Sequence, residues 1–187
     1  MIEGERRTAL QTTLAVDGER LRLLTLVRTL PLPDCWVGAG FVRDAVWDDL
    51  HGFPATLPSG DVDVVWFDPA NVDPSEDRRL EERLLALDAS VRWSVKNQAR
   101  MHVRNGDAPY ASTVDAIRHW PETATAVAAR LGADGSCELA APFGLDDLFH
   151  LVVRPTPVFS GDRCGIVLDR LRRKRWLERW PRLRVEC

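Results

Sequence analysis

The stretch Cys35–Gly52, CWVGAGFVRDAVWDDLHG, followed after a polar break by Ser59–Asp68, SGDVDVVWFD, decides the fold. It reads as a short apolar strand, a Gly-rich turn, a helix beginning near Phe41, a loop from His51 to Gly60 with Pro54 and Pro58, and a second strand. On that second strand Asp61 and Asp63 are separated by one residue. A strand has a side-chain period of two, so both carboxylates share a face. Val62, Val64 and Trp66 take the other face and can enter a core. Two adjacent carboxylates repel, and burying them costs desolvation energy. A divalent cation is the usual compensation, and hard oxygen donors suit Mg²⁺ or Mn²⁺. The pattern predicts metal-assisted chemistry on a phosphate.

The preceding turn agrees. Gly38 and Gly40 bracket Ala39 directly after Cys35-Trp36-Val37. Glycine lets a backbone approach a ligand closely, and a helix N-terminus offers free N–H groups to an anion. Gly38, Ala39 and Gly40 are therefore the expected phosphate cradle. Arg43 sits in the first helical turn, to contact a phosphate or pair with an acid, and Asp44 beside it, favoured there by the helix dipole alone, is grouped with it as a candidate nucleotide-binding residue. The alternative is an ordinary β-α-β unit with solvated acids.

GAGFVRDAVW…DVDVVWFD resembles the nucleotidyltransferase superfamily that includes DNA polymerase β. It is closest in style to the head of the tRNA CCA-adding enzymes, with their Gly-Gly-x-x-Arg-Asp turn and Asp-x-Asp strand. Val95–His102 (VKNQARMH), Asp115–Val127 (DAIRHWPETATAV) and Ala141–Pro155 (APFGLDDLFHLVVRP) are similar to a compact bacterial family of predicted nucleotidyltransferases. The resemblance runs from about Leu21 to the C-terminus. It implies Mg²⁺- or Mn²⁺-dependent transfer of a nucleoside monophosphate from an NTP to an acceptor hydroxyl, with pyrophosphate released. Asp61 and Asp63 would be the catalytic, metal-holding pair. The acceptor (small molecule, protein or RNA) is not implied. A catalytically degenerate nucleotide-binding or regulatory module of the same fold is the other expectation.

The superfamily normally supplies a third carboxylate from the next antiparallel strand. The candidate strand Val91–Val95 has no acid, and its inward position is read as Ser94. Glu138 and Asp115 are the possible substitutes, each with a plainer account as a solvated strand residue or half of a helix cap. Lys96, Asn97 and Arg100, just after the strand, are candidate nucleotide-binding residues, or else a polar strand end with Arg100 paired to a carboxylate. His102 and His119 lack metal-ligand spacing and read as core or surface histidines.

Composition sets limits. The chain has 187 residues, room for one domain at 1–187, with an expected core at about 21–103 and helical and strand additions at about 104–187. A formal charge of −3 gives no global drive toward nucleic acid or anionic membrane, and no DNA partner is expected. No stretch is long and apolar enough to span a bilayer, and the N-terminus lacks a signal peptide's apolar core. The four cysteines show no CxxC pairing, which predicts reduced thiols and a cytoplasmic protein.

The remaining pattern predicts an α/β (α+β) fold: a nucleotidyltransferase-type mixed sheet with flanking helices and a C-terminal helical extension. Helices are expected at about Asp17–Leu30, and from an Asp73-Pro74 start with Glu76 reaching back and Leu80, Leu84 and Leu87 buried. Others are expected at Asp115–Trp120, from Pro121 through Leu131, at Leu145–Val152 and at Gly165–Trp180, and strands at Val91–Val95 and Cys137–Ala140. Trp176 and Trp180, four apart in the basic last helix, are expected to pack onto the domain.

Overall fold

The computed structural model describes residues 1–56 and 60–187; Pro58 of the expected loop lies outside the described residues. In chain order the elements are α1 (Glu3–Val16), α2 (Gly18–Arg28), β1 (Trp36–Gly38), α3 (Gly40–Leu50), β2 (Val62–Trp66), α4 (Pro74–Leu87) and β3 (Trp93–Asn97). They continue with α5 (Met101–Asn105), α6 (Thr113–Ile117), β4 (Ala128–Leu131), β5 (Cys137–Ala140), α7 (Asp146–Phe149) and β6 (Val152–Val153). The last are α8 (Cys164–Arg173), α9 (Trp176–Arg179) and β7 (Arg184–Val185). Five strands form one mixed sheet in the order β3-β2-β1-β4-β5, with β2 and β3 parallel and the other pairs antiparallel. A mixed α/β sheet flanked by helices is the architecture the sequence predicts.

Alternation along β2 divides its side chains as expected. Val62, Val64 and Trp66 enter the main core with Val37, Phe41, Trp47, Leu80, Leu84 and Val95. Val65 joins a smaller cluster on the opposite face, with Trp36, Ile117, Ala126, Ala128 and Ala140. Register then fixes who neighbours Asp63. Asp63 pairs with Ser94 on one side and Gly38 on the other, Gly38 with Ala128, and Ala128 with Ala140. Paired residues share a face. One row across this face therefore reads Ser-Asp-Gly-Ala-Ala, and small side chains leave the carboxylate uncovered.

Several local expectations need correction. The expected helix from Pro121 through Leu131 is instead a tight turn, with the Thr125 and Ala126 amides donating to the Glu122 carbonyl, followed by β4. Thr123 through Ala129 is buried throughout, and a short apolar run buried on both faces satisfies its backbone best in a sheet. The helix at Leu145–Val152 shortens to α7 because Leu151 takes φ +59° and the chain turns into β6. The basic helix breaks at Arg175, φ +52°, into α8 and α9. Helix α1, which shows only Leu10 and Leu14 as a buried pair, had no clear periodic signal. On α4, Asp73 does cap the helix through the Ser75 amide, but Leu87 is exposed and Glu76 bonds Arg79.

The cysteine expectation also fails in part. Cys164 and Cys187 form a disulfide, Cα atoms 6.0 Å apart, tying the start of α8 to the chain beyond β7; Cys35 and Cys137 are free thiols. Sequence spacing does not reveal such a pair, because the β6–β7 pairing that brings the tail back is tertiary. Among the described residues no helix is long and apolar enough to cross a membrane. Closing this loop restricts the unfolded chain. Cys164→Ser is expected to cost about 2–4 kcal/mol in denaturant melts. A reductant should lower the wild-type midpoint and leave the variant's unchanged.

Candidate active site

Asp63 lies on β2 with its carboxylate toward a cavity of about 400 Å³ that Ala39, Lys96, Gln98, Arg104, Trp120 and Arg170 help to line. Burial, then the charge of Asp61, push the Asp63 carboxyl above its usual range, and the Ser94 hydroxyl, Lys174 and Arg43 pull against that shift. Asp61 immediately precedes β2, is more than half exposed, and has the Arg92 Nε 3.4 Å away. The two carboxylates are thus on one side and close enough to repel, as the alternation predicts. Ser94 hydrogen-bonds Asp63 from the inward position of β3.

The expected third acid is not there. Glu138 is on edge strand β5 and accepts from Arg130 Nε at 2.7 Å. The Asp115 carboxylate accepts from the Ala111 amide at 2.9 Å, and the Asp115 backbone amide donates to the Ser112 hydroxyl at 3.0 Å. Both show the plainer of their two expected roles, an ion-paired edge-strand residue and a helix-start carboxylate. Among the described residues no three His, Cys, Asp or Glu side chains gather as a metal site. Two carboxylates still fit a Mg²⁺-type ion that arrives with its substrate, because Mg²⁺ is commonly held by one or two carboxylates plus phosphate oxygens and water. Burial raises Asp63 most and the charge of Asp61 adds to it, and such an ion would relieve that repulsion.

The turn from β1 into α3 is built differently from the expected cradle. The Ala39 amide is already bonded to the Val127 carbonyl at 3.0 Å, and Ala39 itself takes φ +53°, ψ −123°. That left-handed region is strained for any residue with a Cβ. The Val42 and Arg43 amides donate to the Ala39 carbonyl. The donors that helix geometry leaves for a ligand are the amides of Gly40 and Phe41 at the first turn of α3. Gly38 is demanded by packing, since a Cβ there would stand 2.6 Å from the Trp120 ring. Gly40 has room for one, at 3.4 Å from the nearest Arg43 nitrogen.

Arg43 and Asp44 are buried and paired, so of the two roles expected for Arg43 the structure shows the pairing with an acid. Arg43 Nη2 donates to Asp44 Oδ1 at 2.6 Å and Nη1 to the Thr125 hydroxyl at 3.0 Å. Its guanidinium carbon lies 4.2 Å from the ring centre of Trp176, 5.0 Å from Trp47 and 5.9 Å from Trp180. Trp176 and Trp180 do pack onto the domain as expected, in edge contact with Trp47. The sequence points to Arg43, and two of its three tryptophan partners, Trp176 and Trp180, come from more than a hundred residues on and are brought to it only by folding.

The cluster after β3 divides. Lys96 lines the cavity while its ammonium donates to Glu81 at 2.7 Å. Asn97 is fully buried, its amide accepting the Asp68 and Ala99 N–H groups and donating to the Asp68 and Asn71 carbonyls. Arg100 pairs with buried Asp77. Asn97 is thus held by backbone partners and Arg100 shows the carboxylate pairing that is its alternative role; neither is among the described residues lining the cavity. Gln98, Arg104, His119, Trp120 and Arg170 line the cavity without having been named for it. The spacing of His119 predicts only a core or surface histidine, and Trp120 closes an expected helix, so neither carries a sequence signal for the cavity.

A nucleotidyltransferase family model matches residues 25–185. The chain belongs to that family. A solved NMR structure described as revealing a CCA-adding enzyme head domain is similar at 34% identity and TM-score 0.83, covering 95% of this chain and 94% of that one. A CCA-adding enzyme in complex with CTP (19% identity, TM-score 0.58) and the Thermotoga maritima CCA-adding enzyme complexed with tRNA (18%, 0.57) share the fold. This nucleotidyltransferase covers only 43% and 42% of those enzymes, while 96% of its own chain is matched. No curated protein shows a comparable similarity.

Removing the Arg43 charge leaves Asp44 buried and unpaired, the expensive way to break an interior ion pair. Arg43→Met is expected to lose about 3–5 kcal/mol of stability in denaturant titration. Arg43→Met combined with Asp44→Leu should recover a good part of that loss.

Proposed function

We propose that this nucleotidyltransferase moves a nucleoside monophosphate from an NTP to an acceptor hydroxyl and releases pyrophosphate. The observation that carries the reading is the Asp61–Asp63 pair on an uncovered sheet face, beside the open first turn of α3. In this reading Asp61 and Asp63 hold the cation, the Gly40 and Phe41 amides receive phosphate oxygens, and Arg43 fixes the turn from behind. Ser94 keeps the Asp63 carboxylate oriented. The acceptor oxygen attacks the α-phosphorus, the bond to the bridging oxygen breaks, and the hydroxyl proton passes to solvent. A bound Mg²⁺ or Mn²⁺ would acidify the attacking hydroxyl and offset the charge that builds on the phosphate oxygens.

Solved neighbours bind CTP, ATP and tRNA. For this chain the acceptor classes remain a small molecule, a protein or an RNA. A nucleotide-binding module without turnover is the second reading, favoured by one observation: no third carboxylate gathers with Asp61 and Asp63 among the described residues, and β3, which runs parallel to β2 and not antiparallel, offers only Ser94 beside Asp63.

The test is calorimetric titration of each NTP with and without Mg²⁺, beside Asp61→Ala/Asp63→Ala. Metal-dependent binding of an NTP, abolished in the variant, is the expected result. Absence of binding under every condition would remove the nucleotide reading. Binding with pyrophosphate release in the presence of acceptor separates the enzyme from the module.

A further inference from the structure

Arg170 on α8 reaches the cavity that holds Asp63. Its Nε donates to Glu122 Oε1 at 2.8 Å, and Glu122 is completely buried. The other carboxylate oxygen, Oε2, has no hydrogen-bond partner among the described residues. Burying a carboxylate for one ion pair, with an oxygen left over, is a poor way to gain stability. The tight turn that carries Glu122 is itself fixed, its carbonyl accepting two amides and its backbone bridging to Pro155. Glu122 is therefore a rigid mount for the guanidinium.

The mount leaves the business end of Arg170 outward. Its two terminal nitrogens bond no described protein group, and the side chain is about a third exposed. A guanidinium held through Nε presents a planar pair of N–H donors, the geometry that matches two phosphate oxygens. The cavity is otherwise cationic: Lys96 and Arg104 line it, and Asp63 is the one carboxylate among its described lining residues. Lys174, one turn beyond Arg170, is close enough to pull on Asp63.

We infer that Arg170, aimed by Glu122, binds the pyrophosphate portion of the NTP, and that Glu122 is a positioning residue for that contact. The inference rests on the nucleotide reading above. In it, the donor's leaving group is gripped by the C-terminal segment while its α-phosphate lies at the carboxylates on β2.

The probe is tripolyphosphate with Mg²⁺, which has no base or sugar, titrated beside the NTP and the corresponding nucleoside monophosphate. Removing Arg170 alone would strand Glu122, so the main variant is Glu122→Leu/Arg170→Met, with Glu122→Gln as a near-isosteric partner. The double variant should bind tripolyphosphate and NTP on the order of 10- to 100-fold more weakly, the loss of a charge-assisted bond. Monophosphate binding should be unchanged. Glu122→Gln should weaken tripolyphosphate by a smaller factor, and it decides the matter if the double variant does not fold. Wild-type affinity for tripolyphosphate in a folded variant overturns the inference and leaves the nucleotide reading standing. Loss of NTP binding with tripolyphosphate retained also overturns it, by placing Arg170 on the nucleoside. Failure of the wild type to bind either compound removes both.

Discussion

The guanidinium of Arg43 is the constraint around which the rest is arranged. It is a buried charge, and such a charge is tolerated only when its hydrogen bonds and its electrostatic partner are supplied together. Asp44 supplies the countercharge, Thr125 a further acceptor, and three tryptophan rings a polarizable wall. Each partner comes from a different part of the chain: the same helix, the turn before β4, and the C-terminal segment. Satisfying one cation thus fixes the angle at which α3 leaves β1, and with it the turn at Ala39. The same helix face continues the clamp, because Asp48 accepts from Trp180 Nε1 and pairs with Arg179, and His51 receives the Arg182 amide.

On the other side of the sheet the governing fact is what is missing. Main-core positions of β1, β2 and β3 are filled by Val37, Val64 and Val95, whereas the row through Asp63 carries Ser94, Gly38 and Ala128. Trp120 fills the space over Gly38 and stops short of Asp63, so one aromatic ring walls the cavity without closing it. A mostly buried carboxylate that faces a cavity beside a second carboxylate carries a cost in desolvation and self-repulsion, which a cation would offset in the proposed reading.

The fold was legible where periodicity was local. The alternation Asp61-Val62-Asp63-Val64 gave strand, face and carboxylate pair together, and Asp73-Pro74 marked a helix start through backbone chemistry confined to a few residues. Legibility failed where a segment's environment was tertiary. Thr123–Ala129 looks helical from its alanines and becomes turn and strand because it is walled in on both faces. Asn97 and Arg100 looked like ligand contacts because they are polar and follow a strand; their partners, Asp68, Asn71 and Asp77, are brought near only by folding. Arg43 was visible as a functional signature, yet its tryptophan enclosure depends on contacts across 133 residues or so of chain, as the neighbouring Arg179–Asp48 pair, 131 residues apart, illustrates.

The break of the basic helix at Arg175 has a consequence for how the protein is made. During synthesis the carboxylate strand and the α3 turn leave the ribosome long before Trp176 and Trp180 exist. Until then Arg43 has only Trp47 of its three rings and Asp48 has no Arg179, so the nascent chain carries its acids on an unclamped helix. Ordering that helix must wait for a long-range closure, the slow kind of contact in folding. The left-handed residue Arg175 ends α8 and opens α9, whose Trp176, with Trp180 just beyond it, meets Trp47 on α3, so the helix beside Asp63 is clamped only after this late segment has been made.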